Sequence, residues 1–173
     1  SHRGGVRVSL LAGDRALCDY REKENSVKAI SVLLSAKEAV VADAVERLKQ
    51  ENFRLTGQLM ALNKTLIQNK AASVAEGTAN PVFFEENLDA DTSREFVNLL
   101  TARCGGIACV FTGNDETGYR YIFGSKFKDT RPLCKALNGQ FGGKGGGKPE
   151  MVQGSLSGTQ EELMGAVETF LRS

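Results

Sequence analysis

The sequence predicts an α/β protein in two parts, an N-terminal helical hairpin of coiled-coil type followed by a compact domain whose helices cover a small sheet. Two observations carry this. Apolar residues recur at alternating spacings of four and three through the first part of the chain, and strand-like and helix-like segments alternate after Pro81. With 173 residues, 41% hydrophobic and 25% charged, the chain has enough material for one or two modest cores.

Val6 to Ala12 is rich in branched residues and reads as a short strand ending at Gly13, after which Asp14 can cap a helix. Ala16, Tyr20, Val27, Ile30 and Leu34 then mark a helical stripe, with Lys23 filling its one missing step. Ser35 and Glu38 have capping-box spacing, so a second helix is expected to start near Ala36. Its seam is Val41, Val45, Leu48, Asn52, Leu55, Leu59, Leu62 and Leu66, and it offers a dimerisation surface. Asn52 is the one polar residue in that seam, a device that fixes register and partner number at some cost in stability. Gly57 lies inside the helix but off the seam.

The break from Ala71 to Asn80 divides the chain into residues 1–76, a short strand plus helical hairpin, and residues 77–173, a glycine-rich globular α/β domain. In the second part, Val82 to Glu85 reads as a strand and Asp91 to Arg103 as a helix. Ile107 to Phe111 and Tyr119 to Phe123 form a hairpin around the turn signal at Gly113 to Gly118. A helix from Asp129 to Phe141 tolerates Pro132 in its first turn. Thr159 and Glu162 form a further capping box, opening a terminal helix that carries Leu163, Val167, Phe170 and Leu171.

The net charge of +1 excludes a uniformly basic nucleic-acid coat, so phosphate contacts require a local concentration of cations. No apolar stretch approaches the roughly twenty residues of a membrane span, and no signal peptide is visible; a cytoplasmic protein without membrane contact is expected. Cys18, Cys104, Cys109 and Cys134 lack paired spacing and read as free thiols. With His2 as the single histidine, neither a zinc site nor histidine acid–base chemistry is expected, and no catalytic residue is assigned.

The segment Gly142-Gly143-Lys144-Gly145-Gly146-Gly147-Lys148-Pro149 is not required by a generic fold. It approaches P-loop spacing, but Pro149 replaces the hydroxyl that would hold magnesium and a helix precedes it instead of a strand. A flexible linker is a second reading, countered by the capped apolar segment that follows. The third is a structured loop presenting backbone amides and lysines to a polyanion. Lys126, Lys128, Arg131 and Lys135 extend that patch against one acidic residue, Asp129. Nucleic-acid contacts are therefore expected from these four residues together with Gly143, Lys144, Gly145, Gly146, Gly147 and Lys148. Tyr119, Tyr121, Phe123, Phe127 and Phe141 lie nearby and are candidates for base stacking or for core.

Gly142 to Gly154, followed by a capped helix, resembles the glycine-rich signature of the domain that ends alanyl-tRNA synthetases and the longer free-standing alanyl-tRNA editing proteins; a related domain accompanies DHH-type phosphoesterases. His2 to Leu17 separately resembles the junction that leaves the editing domain of the free-standing proteins. The resemblance implies a parent that hydrolyses mischarged tRNA for alanine with a zinc held by HxxxH and CxxxH motifs. Neither motif occurs here, so the catalytic domain and its zinc lie outside this chain, which carries no cofactor of its own. What it implies for this chain is tRNA as partner and homodimer formation through the helices. Val152 and the reduced glycine content after Gln153 depart from the family signature. The alternatives are the C-terminal domain of alanyl-tRNA synthetase itself and a purely structural dimerisation module.

Overall fold

The computed structural model describes Gly4 and residues 8–172, in two compact units, Ser1–Gly57 and Gln58–Ser173. Long N-terminal helices lead into a sheet domain with helices, as the sequence predicts. Helix α1 spans Asp14–Leu33 and α2 spans Val41–Ser73, beginning in the first unit and ending in the second.

Several N-terminal details differ from expectation. Residues 8–12 adopt no strand, and the rest of that expected strand, with His2, lies outside the described residues. Gly13 at φ 61° occupies the α1 cap position without a side-chain bond, and Asp14 is already helical. The Ser35–Glu38 box does not form, because Ser35 turns into the left-handed region at φ 49° and a 3-10 turn over Glu38–Val40 starts the next helix from Lys37. A hydroxyl in that conformation no longer reaches the amide a capping box would satisfy.

The seam of α2 is present as a stripe but is not covered. Val45, Leu48, Leu55, Leu59, Leu62 and Leu66 are 40–68% exposed. The face that packs against the sheet is offset by one residue, where Ile67 and Ala71 are buried and Val74 packs beside them.

The sheet runs β1 (Val82–Glu85), β2 (Ala108–Asn114), β3 (Gly118–Gly124), β5 (Met151–Leu156) and β4 (Lys144–Lys148) in spatial order. β1 and β2 are parallel because α3 (Ala90–Thr101) carries the chain across between them; the other pairs are antiparallel. Asp89 caps α3, its carboxylate accepting the Thr92 N–H at 2.8 Å. On one face of the sheet α3 and the end of α2 enclose Phe96, Val97, Leu100, Val110 and Ile122. On the other, α4 (Arg131–Phe141) and α5 (Gln160–Arg172) enclose Phe111, Tyr121, Phe123, Leu133, Leu163 and Val167. The Thr159–Glu162 box forms as expected: Glu162 Oε2 accepts the Thr159 N–H at 2.9 Å.

Candidate nucleic-acid interface

The glycine-rich segment is an edge strand, not the expected loop. β4 pairs along its whole length with β5, from Lys144 opposite Ser155 to Lys148 opposite Met151. Among the described residues it has a strand neighbour on one side only, so its other edge is open for backbone contacts. Gly142, at φ 61°, ends α4 in the left-handed cap that glycine adopts without strain and turns the chain into this strand. At the other end Thr130, the residue preceding α4, donates its N–H and its hydroxyl to Pro149 O at 2.8 and 2.9 Å. α4 is thereby tied to both ends of the glycine strand.

Side chains alternate along a strand, so β4 presents two sets of residues to two faces. Gly145 and Gly147 face α4, and space is short there. A methyl on Gly145 would meet the Tyr121 hydroxyl and would lie 2.5 Å from Gln153 O and 2.6 Å from Gly154 Cα. The cross-strand partner Gly154 meets the same hydroxyl, so Tyr121 explains a glycine on each strand of the pair. Tyr121 donates to Asn138 Oδ1 at 2.8 Å and lies 3.2 Å from Cys134 Sγ, both on α4. Burial, reinforced by the Cys134 contact, pushes its phenol well above the usual tyrosine range. Lys144, Gly146 and Lys148 face the other way, towards the side of the sheet that carries α3.

The residues expected to contact nucleic acid therefore divide between two faces. A groove of about 580 Å³ runs between α4 and β4, lined by Arg131, Lys135, Asn138, Gly139 and Gly145 to Gly147. Lys126 and Lys128 lie exposed in the segment before α4, where Ser125 Oγ accepts the Lys128 N–H at 3.0 Å. Arg131 is paired with Asp129 at 2.7 Å, so the aspartate that interrupts the basic run neutralises one of its members. The Arg131 side chain in turn holds the Asp129 carboxyl below the usual carboxylate range. Lys144 and Lys148 do not join this groove. Of the aromatic candidates, Tyr119, Tyr121 and Phe123 are core, Phe141 is half-buried, and Phe127 is 74% exposed.

Sequence reasoning missed Arg94, Arg120 and Gln153, which lie on the α3 side. Arg94 donates to Gln153 Oε1 at 2.7 Å, and Arg120 occupies the position opposite Ser155. The signal available was the two-residue period of Lys144, Gly146 and Lys148, which a loop assignment discards.

Among the described residues no cluster of three or more histidine, cysteine, aspartate or glutamate side chains could hold a metal ion, and no helix is long and apolar enough to cross a membrane. The four cysteines are unpaired, and burial pushes the Cys109 thiol up. The β4 edge of the sheet is a glycine strand between two lysines. The chain belongs to the DHHA1 domain family, which matches residues 67–173 and so begins at the buried Ile67 that anchors α2 to the sheet. It is 27% identical to an alanine–tRNA ligase of Saccharophagus degradans over 94% of its own length and 20% of the ligase. RecJ of Thermus thermophilus, solved with Mg2+, shares the fold, with a TM-score of 0.52 at 12% identity over 79% of this chain and 21% of RecJ. The C-Ala domain of Aquifex aeolicus alanyl-tRNA synthetase aligns with a TM-score of 0.43 at 16% identity, over 58% of this chain and 94% of that domain. The chain thus spans about a fifth of the length of the curated relative it matches.

Proposed function

We propose that this chain is a tRNA-binding, self-associating accessory domain of a protein that handles alanyl-tRNA. One observation carries the reading: the glycine strand β4 lies at the open edge of the sheet, flanked by Lys144 and Lys148 and bordered by the groove that Arg131 and Lys135 line. Backbone amides without side chains allow close approach of a sugar–phosphate chain, and the cations supply affinity and orientation with little sequence reading. Residues 77–173 take the RNA, with Lys126, Lys128, Arg131, Lys135 and Gly143 to Lys148 as its contacts.

Residues 1–76 take a second copy of the chain. The uncovered seam from Val41 to Leu66, interrupted by Asn52, supports this, since an apolar stripe of that length left in water favours association. The alanine–tRNA ligase similarity extends over 94% of the chain and therefore includes this helical part. The N-terminal junction favours a free-standing editing hydrolase as parent, whereas the names of the curated relatives favour a ligase. Both parents give this chain the same task.

The test is a titration of labelled tRNA for alanine, against an unrelated tRNA, at two salt concentrations. Lys144→Ala/Lys148→Ala and Lys126→Ala/Lys135→Ala are compared with the native chain. Binding that weakens with salt is expected for both variants, with a slope shallower by about 0.7–0.9 for each phosphate the variant no longer neutralises. Absence of binding by the native chain at low salt refutes the proposal.

A further inference from the structure

The polar hollow on the α3 side of the sheet, missed in the sequence, has the make-up of a nucleotide site. The register places Thr112, Arg120, Ser155 and Lys144 in one row across β2, β3, β5 and β4. Adjacent members of this row are direct cross-strand partners, so their side chains emerge on the same face. The next row on that face, Val110, Ile122, Gln153 and Gly146, turns apolar where α3 covers it. The polar row thus forms the floor of a hollow of about 380 Å³ beside the start of α3, whose wall includes Leu88 and Ala90. That volume is within the range of sites that enclose a small ligand.

The chemistry of the row is directional. Ser93 spends its one hydroxyl proton on Asp89 O at 2.8 Å, so at 3.1 Å from Thr112 Oγ1 it accepts from that group. Thr112 therefore keeps only acceptor capacity towards the hollow, which suits a ribose hydroxyl. Arg94 fixes Gln153 through its oxygen, leaving the Gln153 amide nitrogen as a donor to the acceptor edge of a base. Arg120 and Lys144 make no ion pair among the described residues, and both line the hollow. Glu86, the one carboxylate lining the adjoining space, follows β1, at the opposite edge of the sheet from Lys144.

We infer that this hollow binds a single unstacked nucleotide of RNA, with its phosphate on Arg120 and Lys144 and its base against Leu88 and Ala90 beside the Gln153 amide. A continuous duplex would need cations on a convex or flat track, whereas this site is concave, with acceptor, donor, apolar and cationic groups converging. The inference rests on RNA as the ligand but concerns a face of β4 opposite the α4 groove.

Two measurements test it, both on the full chain. In the first, amide NMR shifts are followed on titration with the four nucleoside 5′-monophosphates and, separately, with inorganic phosphate. Shifts confined to Thr112, Arg120, Lys144, Gln153 and Ser155, larger with nucleotides than with phosphate, are expected. Their loss in Arg120→Gln, a variant that keeps side-chain length in case Arg120→Ala fails to fold, completes the expected result. Equal responses to phosphate and nucleotides, or shifts confined to the α4 groove, overturn it. In the second, tRNA affinity is compared for Arg120→Gln/Gln153→Ala and Lys126→Ala/Lys135→Ala. A loss on the order of tenfold for the first pair supports the site, since charged hydrogen bonds of this kind carry that much. A loss below twofold there, with weakening by the second pair, overturns the nucleotide site and leaves the tRNA-binding reading standing. If the native chain binds no tRNA, that reading falls while the nucleotide titration still decides the hollow.

Discussion

Replacing Gly145 by Ala tests why the glycine signature is glycine. The added methyl would meet the Tyr121 hydroxyl and lie 2.5 Å from Gln153 O and 2.6 Å from Gly154 Cα. Two of these three neighbours are backbone atoms of β5 that cannot retreat without opening the β4–β5 ladder. Overpacking of this kind costs about 1–3 kcal/mol, and the backbone contacts place Gly145→Ala at the upper end. For a unit of this size the Tm would fall by roughly 5–15 °C. Gly146→Ala is the control, since no atom lies within 4 Å of its added methyl, and its effect should stay within about 0.5 kcal/mol. Tyr121→Phe alone strands Asn138 Oδ1 and costs about 1–2 kcal/mol. In the Gly145→Ala background it removes one of the clashing atoms, so the double variant should be more stable than the sum of the two changes implies. Thermal and urea unfolding of the four proteins give the comparison. A Gly145→Ala protein that melts with the native chain, or a Gly146→Ala protein equally destabilised, would show that close packing against Tyr121 is not the reason for the glycine.

Three further outcomes follow from the geometry. Thr159→Ala removes a hydroxyl and loosens the box that starts α5, and should cost about 1 kcal/mol in urea unfolding without altering tRNA binding. Leu48→Glu/Leu55→Glu places charges in the exposed seam and should convert a dimer to a monomer in sedimentation, with the sheet domain's melting unchanged; a native chain that is already monomeric removes the seam's proposed role. The Thr92 amide and hydroxyl hold the Asp89 carboxyl below its usual range. Its stabilising effect is therefore complete above about pH 4 and is lost as pH falls through the lower folded value. Asp89→Asn retains a capping group that does not titrate, so its Tm should fall less steeply with acid below that pH, and an unchanged slope would contradict this.

Several elements of the sheet domain were legible because each had a local signal. Apolar composition on either side of the Gly113–Gly118 turn signal marked β2 and β3, Pro132 marked the first turn of α4, and the Thr159–Glu162 pair marked α5. Where local signals misled, conformation overrode spacing: Ser35 and Glu38 have capping-box spacing, but a left-handed Ser35 takes the hydroxyl away from the amide it would cap. The α2 stripe was correct in period and offset by one residue from the buried face, because Ile67 and Ala71 answer to the sheet while Leu62 and Leu66 do not. β4 was missed for a different reason. Three consecutive glycines have low strand propensity, and only pairing with β5 makes that backbone extended. Losing the strand also lost the period that separates Lys144 from Lys135.

That period assigns the glycine run two different tasks. Gly145, Gly147 and Gly154, the partner of Gly145, are on the face where Tyr121 and the backbone of the paired strand leave no room, so they are needed for β4 to close onto the sheet at all. Gly146 meets no such limit, and its neighbours on that face, Lys144 and Lys148, point away from the core. Gly146 is a bare position between two lysines, with no described atom within 4 Å of an added methyl. Gly145 is thus explained by folding, and Gly146 is free of that constraint. Gly145→Ala and Gly147→Ala should accordingly fail in urea unfolding, and Gly146→Ala should keep its stability and weaken tRNA binding.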